Sequence, residues 1–266
     1  LIFGARLVPY IATLSKEYGA IFSSMPAIRR IYAILNSASD WEKEGTLEPE
    51  PFFKEFIRFE NVNFGYSADT SILNCITFTI KKGSYIGIMG RSGVGKTSLF
   101  NLLVRIYDPQ EGRVLVDDLD IRELRLSHLR SNIGMISQDN FLFNTSIRAN
   151  MILAKPEASE ADMRSALTKA GLMTFVESQD KGLDAPVGEN GSNLSGGQRQ
   201  RLSLAVLFLQ DPQIIIIDEG TSSVDGETER HILQSLGNLH RDGRTIILSS
   251  HRESAMIHTE VVYEIK

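Results

Sequence analysis

The sequence predicts an α/β fold in which strands and helices alternate around a phosphate-binding loop. Three observations predict it. Residues 90 to 97 read Gly-Arg-Ser-Gly-Val-Gly-Lys-Thr and fill every required position of G-x-x-x-x-G-K-[ST]. Ile214-Ile-Ile-Ile217 is a fully apolar run of the kind buried on both faces of a parallel sheet, and it closes on Asp218-Glu219. Around these, short apolar strands alternate with stretches of helical spacing, without an internal repeat.

Each residue type in the loop has a physical task. Gly90, Gly93 and Gly95 open backbone conformations closed to other residues, so successive N–H groups can turn inward around an anion. A helix starting near Lys96 adds the positive end of its dipole. Lys96 brings a point charge for the outer phosphates, and the Thr97 hydroxyl can ligate Mg²⁺. Arg91, Ser92, Val94 and Ser98 complete the nucleotide-contacting stretch. Tyr85-Ile-Gly-Ile-Met89 is a strand leading in, and Ser98 to Val104 continues as helix. A chance match in a chain this long has a probability on the order of 1%.

The remaining elements follow in order. From Ile11 the series Ile11, Leu14, Tyr18, Ile21, Met25, Ile28, Tyr32, Leu35 steps by three and four, a helix with one apolar face that Pro26 should kink or restart. Residues 36 to 55, broken by Gly45, Pro49 and Pro51, read as a linker. Phe56 to Phe59 and Ile72 to Ile80 are strands, with Lys81-Lys-Gly83 a turn. Arg113 to Val116, Ile133 to Ile136 and Thr245 to Ser249 are further strands. Residues 159 to 178, Ser195 to Leu209 and Glu227 to His240 are helical.

Composition bounds the function. At 266 residues the chain holds one large domain or two small ones, and 42% apolar with 23% charged residues is ordinary for a globular protein. A net charge of −5 without a dense Lys/Arg run argues against nucleic-acid binding. The single cysteine, Cys75, excludes an internal disulfide, fits a reducing compartment and reads as a small core residue. The chain starts at Leu1, and residues 1 to 14 are largely apolar but too short to span a bilayer. We expect a fragment, or a longer hydrophobic segment upstream.

Two further strings carry chemistry. Asp218, delivered to the carboxyl edge of the sheet, can hold Mg²⁺ directly or through water, and Glu219 can orient and deprotonate an attacking water. In Asn193-Leu-Ser195-Gly196-Gly197-Gln198-Arg-Gln-Arg201, Ser195 is a helix N-cap, and the glycines leave the first helical amides uncovered, a second anion site. Here Leu194-Ser-Gly-Gly-Gln198 resembles the signature motif of ATP-binding cassette (ABC) ATPases.

That resemblance implies roles for other positions. Tyr66, on its own a core aromatic, matches the residue that stacks on adenine. Gln138, otherwise a surface loop residue, matches the glutamine that contacts Mg²⁺ and senses the membrane domain. Ser222-Ser-Val-Asp225 resembles the loop that crosses to the partner subunit, and His251 matches the histidine at the γ-phosphate. Val187-Gly-Glu189-Asn-Gly191 is similar to the segment typical of ABC exporters. Gln138 to Phe143 with Ile147 and Asn150 resembles the exporter surface that grips a coupling helix.

The resemblance thus implies a P-loop (RecA-like) ATPase core with an N-terminal antiparallel β subdomain and an inserted α-helical subdomain at about 139–209. It implies residues 1–38 as the cytoplasmic end of a last transmembrane helix, 39–55 as linker and 56–266 as the ATPase domain. Its expected ligands are ATP and Mg²⁺. Its expected partners are a second nucleotide-binding domain, head to tail, and the exporter's transmembrane domain, at the cytoplasmic face of the cell membrane. The chain departs from the pattern at Ala205-Val-Leu207, often Ala-Arg-Ala in the family, at Gly220, often Ala or Pro, and in ending at Lys266 before the usual C-terminal helices. Two alternatives remain open at this point: a soluble ABC ATPase of translation or chromosome maintenance, and a non-hydrolysing nucleotide binder.

Overall fold

The computed structural model describes residues 2–37, 45–67, 70–137, 141–219, 226–250 and 253–265. It divides into two compact units, Leu1–Lys43 and Glu44–Lys266.

The first unit contains α1, Ile2–Ser37. It runs through Pro26 as one helix, so of the kink or restart expected there the restart does not occur. Leu14, Tyr18, Ile21, Ile28 and Tyr32, members of the apolar series, are exposed along it. No helix among the described residues is long and apolar enough to cross a membrane.

In chain order the strands of the second unit are β1 (Phe56–Phe64), β2 (Leu73–Lys81), β3 (Tyr85–Met89), β4 (Glu111–Val116), β5 (Leu119–Asp120), β6 (Ile133–Ile136), β7 (Ile214–Asp218), β8 (Thr245–Ser249) and β9 (Val261–Glu264). The helices are α2 (Lys96–Leu103), α3 (Leu126–Asn132), α4 (Ile147–Ala154), α5 (Glu160–Lys169), α6 (Met173–Glu177), α7 (Gly196–Gln210) and α8 (Gly226–Arg241). Strands β2-β1-β4-β5 form an antiparallel sheet. Strands β6-β7-β8-β3-β9 form a parallel one. Helices α4 to α7 fall between β6 and β7 in the chain. This is the expected architecture: a parallel phosphate-loop core, an antiparallel β layer and an inserted group of helices.

The apolar run on β7 explains why the core sheet is central. Ile214 and Ile216 pack into a cluster with Phe59, Leu99 and Phe100 from β1 and α2. Ile215 and Ile217 pack with Met163, Leu202 and Leu236 from α5, α7 and α8. Successive side chains thus serve opposite faces, and both faces are covered.

Two expectations are corrected. Residues 45–55 are not a free linker. Leu47 N–H donates to Glu123 O (3.0 Å), Arg125 N–H donates to Leu47 O (2.9 Å), and Phe52 and Phe53 are buried. The polar composition had hidden two core aromatics directly after Pro51. Cys75 is exposed, not core. The β1–β2 register shifts near it, Asn61 and Cys75 both have positive φ (49° and 51°), and the thiol turns toward the Asn61 amide. Elements without a sequence signal are the two-residue β5, the short α3 and α4, and the edge strand β9.

Candidate nucleotide site

The phosphate loop links β3 to α2, and two of its glycines are required by conformation. Gly93 and Gly95 have φ of 80° and 109°, where side chains are strained. Gly90 is required for a different reason from the one expected. Its φ is not positive, but a Cβ there would lie 2.8 Å from the Ile265 carbonyl oxygen, so close backbone approach excludes a side chain.

Beyond the loop, α2 begins at Lys96 with Gly95 as its N-cap and no side-chain cap on its first turn, the kind of helix start that receives an anion. Lys96, only 5% exposed, donates to the carbonyls of Gly90 (2.8 Å) and Arg91 (3.2 Å) and pairs with Glu219 Oε1 at 3.2 Å. Thr97 Oγ1 donates to Asp218 Oδ2 at 2.6 Å. The buried Asp218 therefore faces the helix start from the end of β7, although β8 lies between β7 and β3 in the sheet. Ser249, at the end of β8, completes the junction: its Oγ donates to Asp218 Oδ1 (2.6 Å) and accepts from Glu219 N–H (3.0 Å). Glu219 itself is held at φ 50°.

Tyr66 is 53% exposed rather than core, and its hydroxyl shares a hydrogen bond with Ser98 Oγ at 3.1 Å, one turn into the loop's helix. Tyr66 packs edge-on to Phe64 and Tyr107, which fixes the ring's orientation. Tyr107 has no sequence signal; it is found only through this ring cluster.

The second anion motif caps α7. Ser195 Oγ accepts from Gln198 N–H (3.2 Å) and Gln198 Oε1 accepts from Ser195 N–H (2.8 Å), a closed capping box. Gly196 and Gly197 lie between the two members of the box, and their amides take no part in it. A Cβ on Gly196 would meet nothing nearer than Arg199 Nη2 at 3.9 Å, so packing within the chain does not demand glycine there. Ser195 to Gln198 share no hydrogen bond or ion pair with the phosphate loop among the described residues. Gln138, His251, Gly220 and the Ser222–Asp225 loop lie outside the described residues.

Ile147 and Asn150, read as surface, are buried. The Asn150 amide instead bonds both backbone groups of Phe143 (2.9 and 3.0 Å) and the Thr145 hydroxyl (3.0 Å). It fixes the loop that exposes Phe141 and Phe143, rings in edge-to-face contact beside a cavity of about 360 Å³ that Leu153 and Val206 also line.

Fold and loop together define a phosphate-loop α/β protein. The chain belongs to the ABC transporter family, whose pattern matches residues 73–222. It is 39% identical, over 97% of its length and 42% of theirs, to the heterocyst differentiation ATP-binding protein of a Nostoc species. It is 36% identical, over 96% of its length and 44% of the relative's, to an ATP-dependent lipid A-core flippase of Desulfotalea psychrophila. Among solved structures it resembles a bacterial Atm1-family ABC exporter with ATP bound, at a TM-score of 0.78 and 34% identity, over 85% of this chain and 39% of that one. The chain therefore spans less than half the length of these proteins.

Proposed function

We propose that this chain is the ATP-hydrolysing nucleotide-binding domain of an ABC exporter, working at the cytoplasmic face of a membrane. The observation that carries this reading is the junction of Lys96, Thr97, Asp218 and Glu219 at the mouth of the phosphate loop. In the proposed complex, loop amides and Lys96 hold the phosphates, and Tyr66 stacks on the adenine. Thr97 and Asp218 present oxygen donors within 2.6 Å of each other, a set that suits Mg²⁺ with its preference for few protein ligands, phosphates and water. Among the described residues there is no cluster of three His, Cys, Asp or Glu that would hold a metal by itself. When bound, Mg²⁺ would neutralise charge on the transferring phosphoryl group. Glu219 takes the proton of the attacking water, for which Lys96 must exchange its carboxylate partner for phosphate oxygens. Gln138 and His251 are proposed at the metal and the γ-phosphate.

The glycine-opened cap of α7 is proposed to complete the nucleotide site of a second copy or homologous domain, head to tail. Gly196 has no packing reason in its own chain, which supports a ligand from outside. Phe141, Phe143 and Val206 are proposed to receive the coupling segment of the transmembrane domain; Val206, where the family often has arginine, gives that surface an apolar wall. Phosphate release from Mg²⁺-ATP, with Lys96→Ala as control, tests the central claim. Wild-type turnover that Lys96→Ala lowers at least tenfold supports it, and wild-type protein that binds no ATP sinks it.

A further inference from the structure

Resting on the hydrolytic reading above, we propose that Ser249 is a positioning residue that sets both carboxylates of the site. Its place follows from topology. The β7–β8 register pairs Asp218 with Ser249, and the β3–β8 register pairs Ile88 with Ser249. The residue therefore lies between the strand carrying the acids and the strand feeding the phosphate loop. It is fully buried.

A serine hydroxyl has one proton to give and lone pairs to receive. Ser249 uses both here. The proton goes to Asp218 Oδ1 at 2.6 Å, which leaves Oδ2 turned toward Thr97, also at 2.6 Å. With Oδ1 tied, the carboxylate cannot rotate about its Cβ–Cγ bond, so the oxygen facing the helix start is fixed in advance. A lone pair receives the Glu219 N–H at 3.0 Å, and the Ser249 carbonyl receives the same N–H at 3.2 Å. This shared donor holds Glu219 at φ 50°, a backbone conformation that a glutamate does not adopt without support. One hydroxyl thereby fixes the direction of the metal-facing oxygen and the backbone from which the general base projects. An apolar side chain at this strand position would satisfy the surrounding core equally well; the three residues before it on β8, Ile246, Ile247 and Leu248, are apolar and buried.

Ser249→Ala and Ser249→Thr in the full chain test this. The alanine variant removes only the hydroxyl and adds no volume. Expected for it are a kcat about tenfold lower with KM unchanged, as for loss of a hydrogen bond to a charged group. A severalfold higher Mg²⁺ concentration should be needed for half-maximal binding of a fluorescent ATP analogue, while its affinity in EDTA stays at the wild-type value. The threonine variant should restore both. The proposal is overturned by an alanine variant with wild-type kcat and Mg²⁺ requirement, or by a deficit in both variants alike, which would mark Ser249 as packing alone. Absence of turnover in the wild type would sink hydrolysis instead, and the Mg²⁺ titration would still decide the role of Ser249.

Discussion

Replacing Glu219 by glutamine separates two tasks that the structure joins in one side chain. The carboxylate is the proposed general base, and it is also the partner of Lys96 at 3.2 Å, with the two side chains 14% and 5% exposed. The amide keeps the size but can neither accept the water's proton at neutral pH nor neutralise the ammonium. Loss of a positioned base lowers turnover by about 10²–10⁴. The second effect has the opposite sign for binding. At 3.2 Å and an effective dielectric constant of about 20, the gross attraction is about 5 kcal/mol, most of it offset by desolvation of the pair. A net contribution of about 1 kcal/mol, released when the carboxylate is gone, corresponds to ATP binding about fivefold tighter. Calorimetry with MgATP reads the affinity, a phosphate-release assay reads the rate, and size-exclusion chromatography reads accumulation of a closed pair. Turnover above about a tenth of wild type would be a loss smaller than the general-base range and would shift the chemistry to another group. ATP binding weaker than wild type would refute the idea that Glu219 competes with phosphate for Lys96.

Tyr66→Ala should weaken ATP and GTP together by about 1–3 kcal/mol, because stacking tolerates any base; a collapse of the ligand-free melting temperature would instead make the ring structural. Ser195→Arg should leave ATP binding by a single chain near normal while abolishing cooperative turnover, and undiminished turnover would exclude the cap from a composite site. Asn150→Ala removes the clamp on the Phe143 backbone; denaturant unfolding should show a loss of about 1–3 kcal/mol, and a loss within error would show that the clamp is redundant.

What the sequence made legible was local. The eight residues from Gly90 to Thr97 encode a turn and a helix start within themselves, Ser195 and Gln198 close a box three residues apart, and four successive isoleucines report a strand with two buried faces. What it concealed depends on residues far apart in the chain. Gly90 is dictated by the Ile265 carbonyl, Cys75 is turned outward by a register shift against β1, and Phe52 and Phe53 enter the core from a stretch with linker composition. In the sequence Ser249 is only the last residue of a strand; its position beside Asp218 appears only when β7 and β8 are set in register. The Lys96–Glu219 pair likewise joins residues whose proximity no spacing rule encodes.

The strand order has a consequence for how the protein is made. β3, which leads into the phosphate loop, is flanked by β8 and β9, so Tyr85 and Ile86 pair with Ile246 and Val261 near the far end of the sequence. The antiparallel layer, by contrast, is assembled from partners close in the chain, β1 with β2 and β4. Distant pairings carry the larger loop-closure entropy and form late. During synthesis the β layer can therefore settle while the loop already outside the ribosome has no frame to hold its shape. Nucleotide capture becomes a test of whether β8 and β9 have joined the sheet: ribosome-stalled chains ending before Thr245 should retain no labelled ATP, whereas those with Ile265 clear of the ribosome should. Retention by the shorter chains would show that the loop shapes itself without its neighbours.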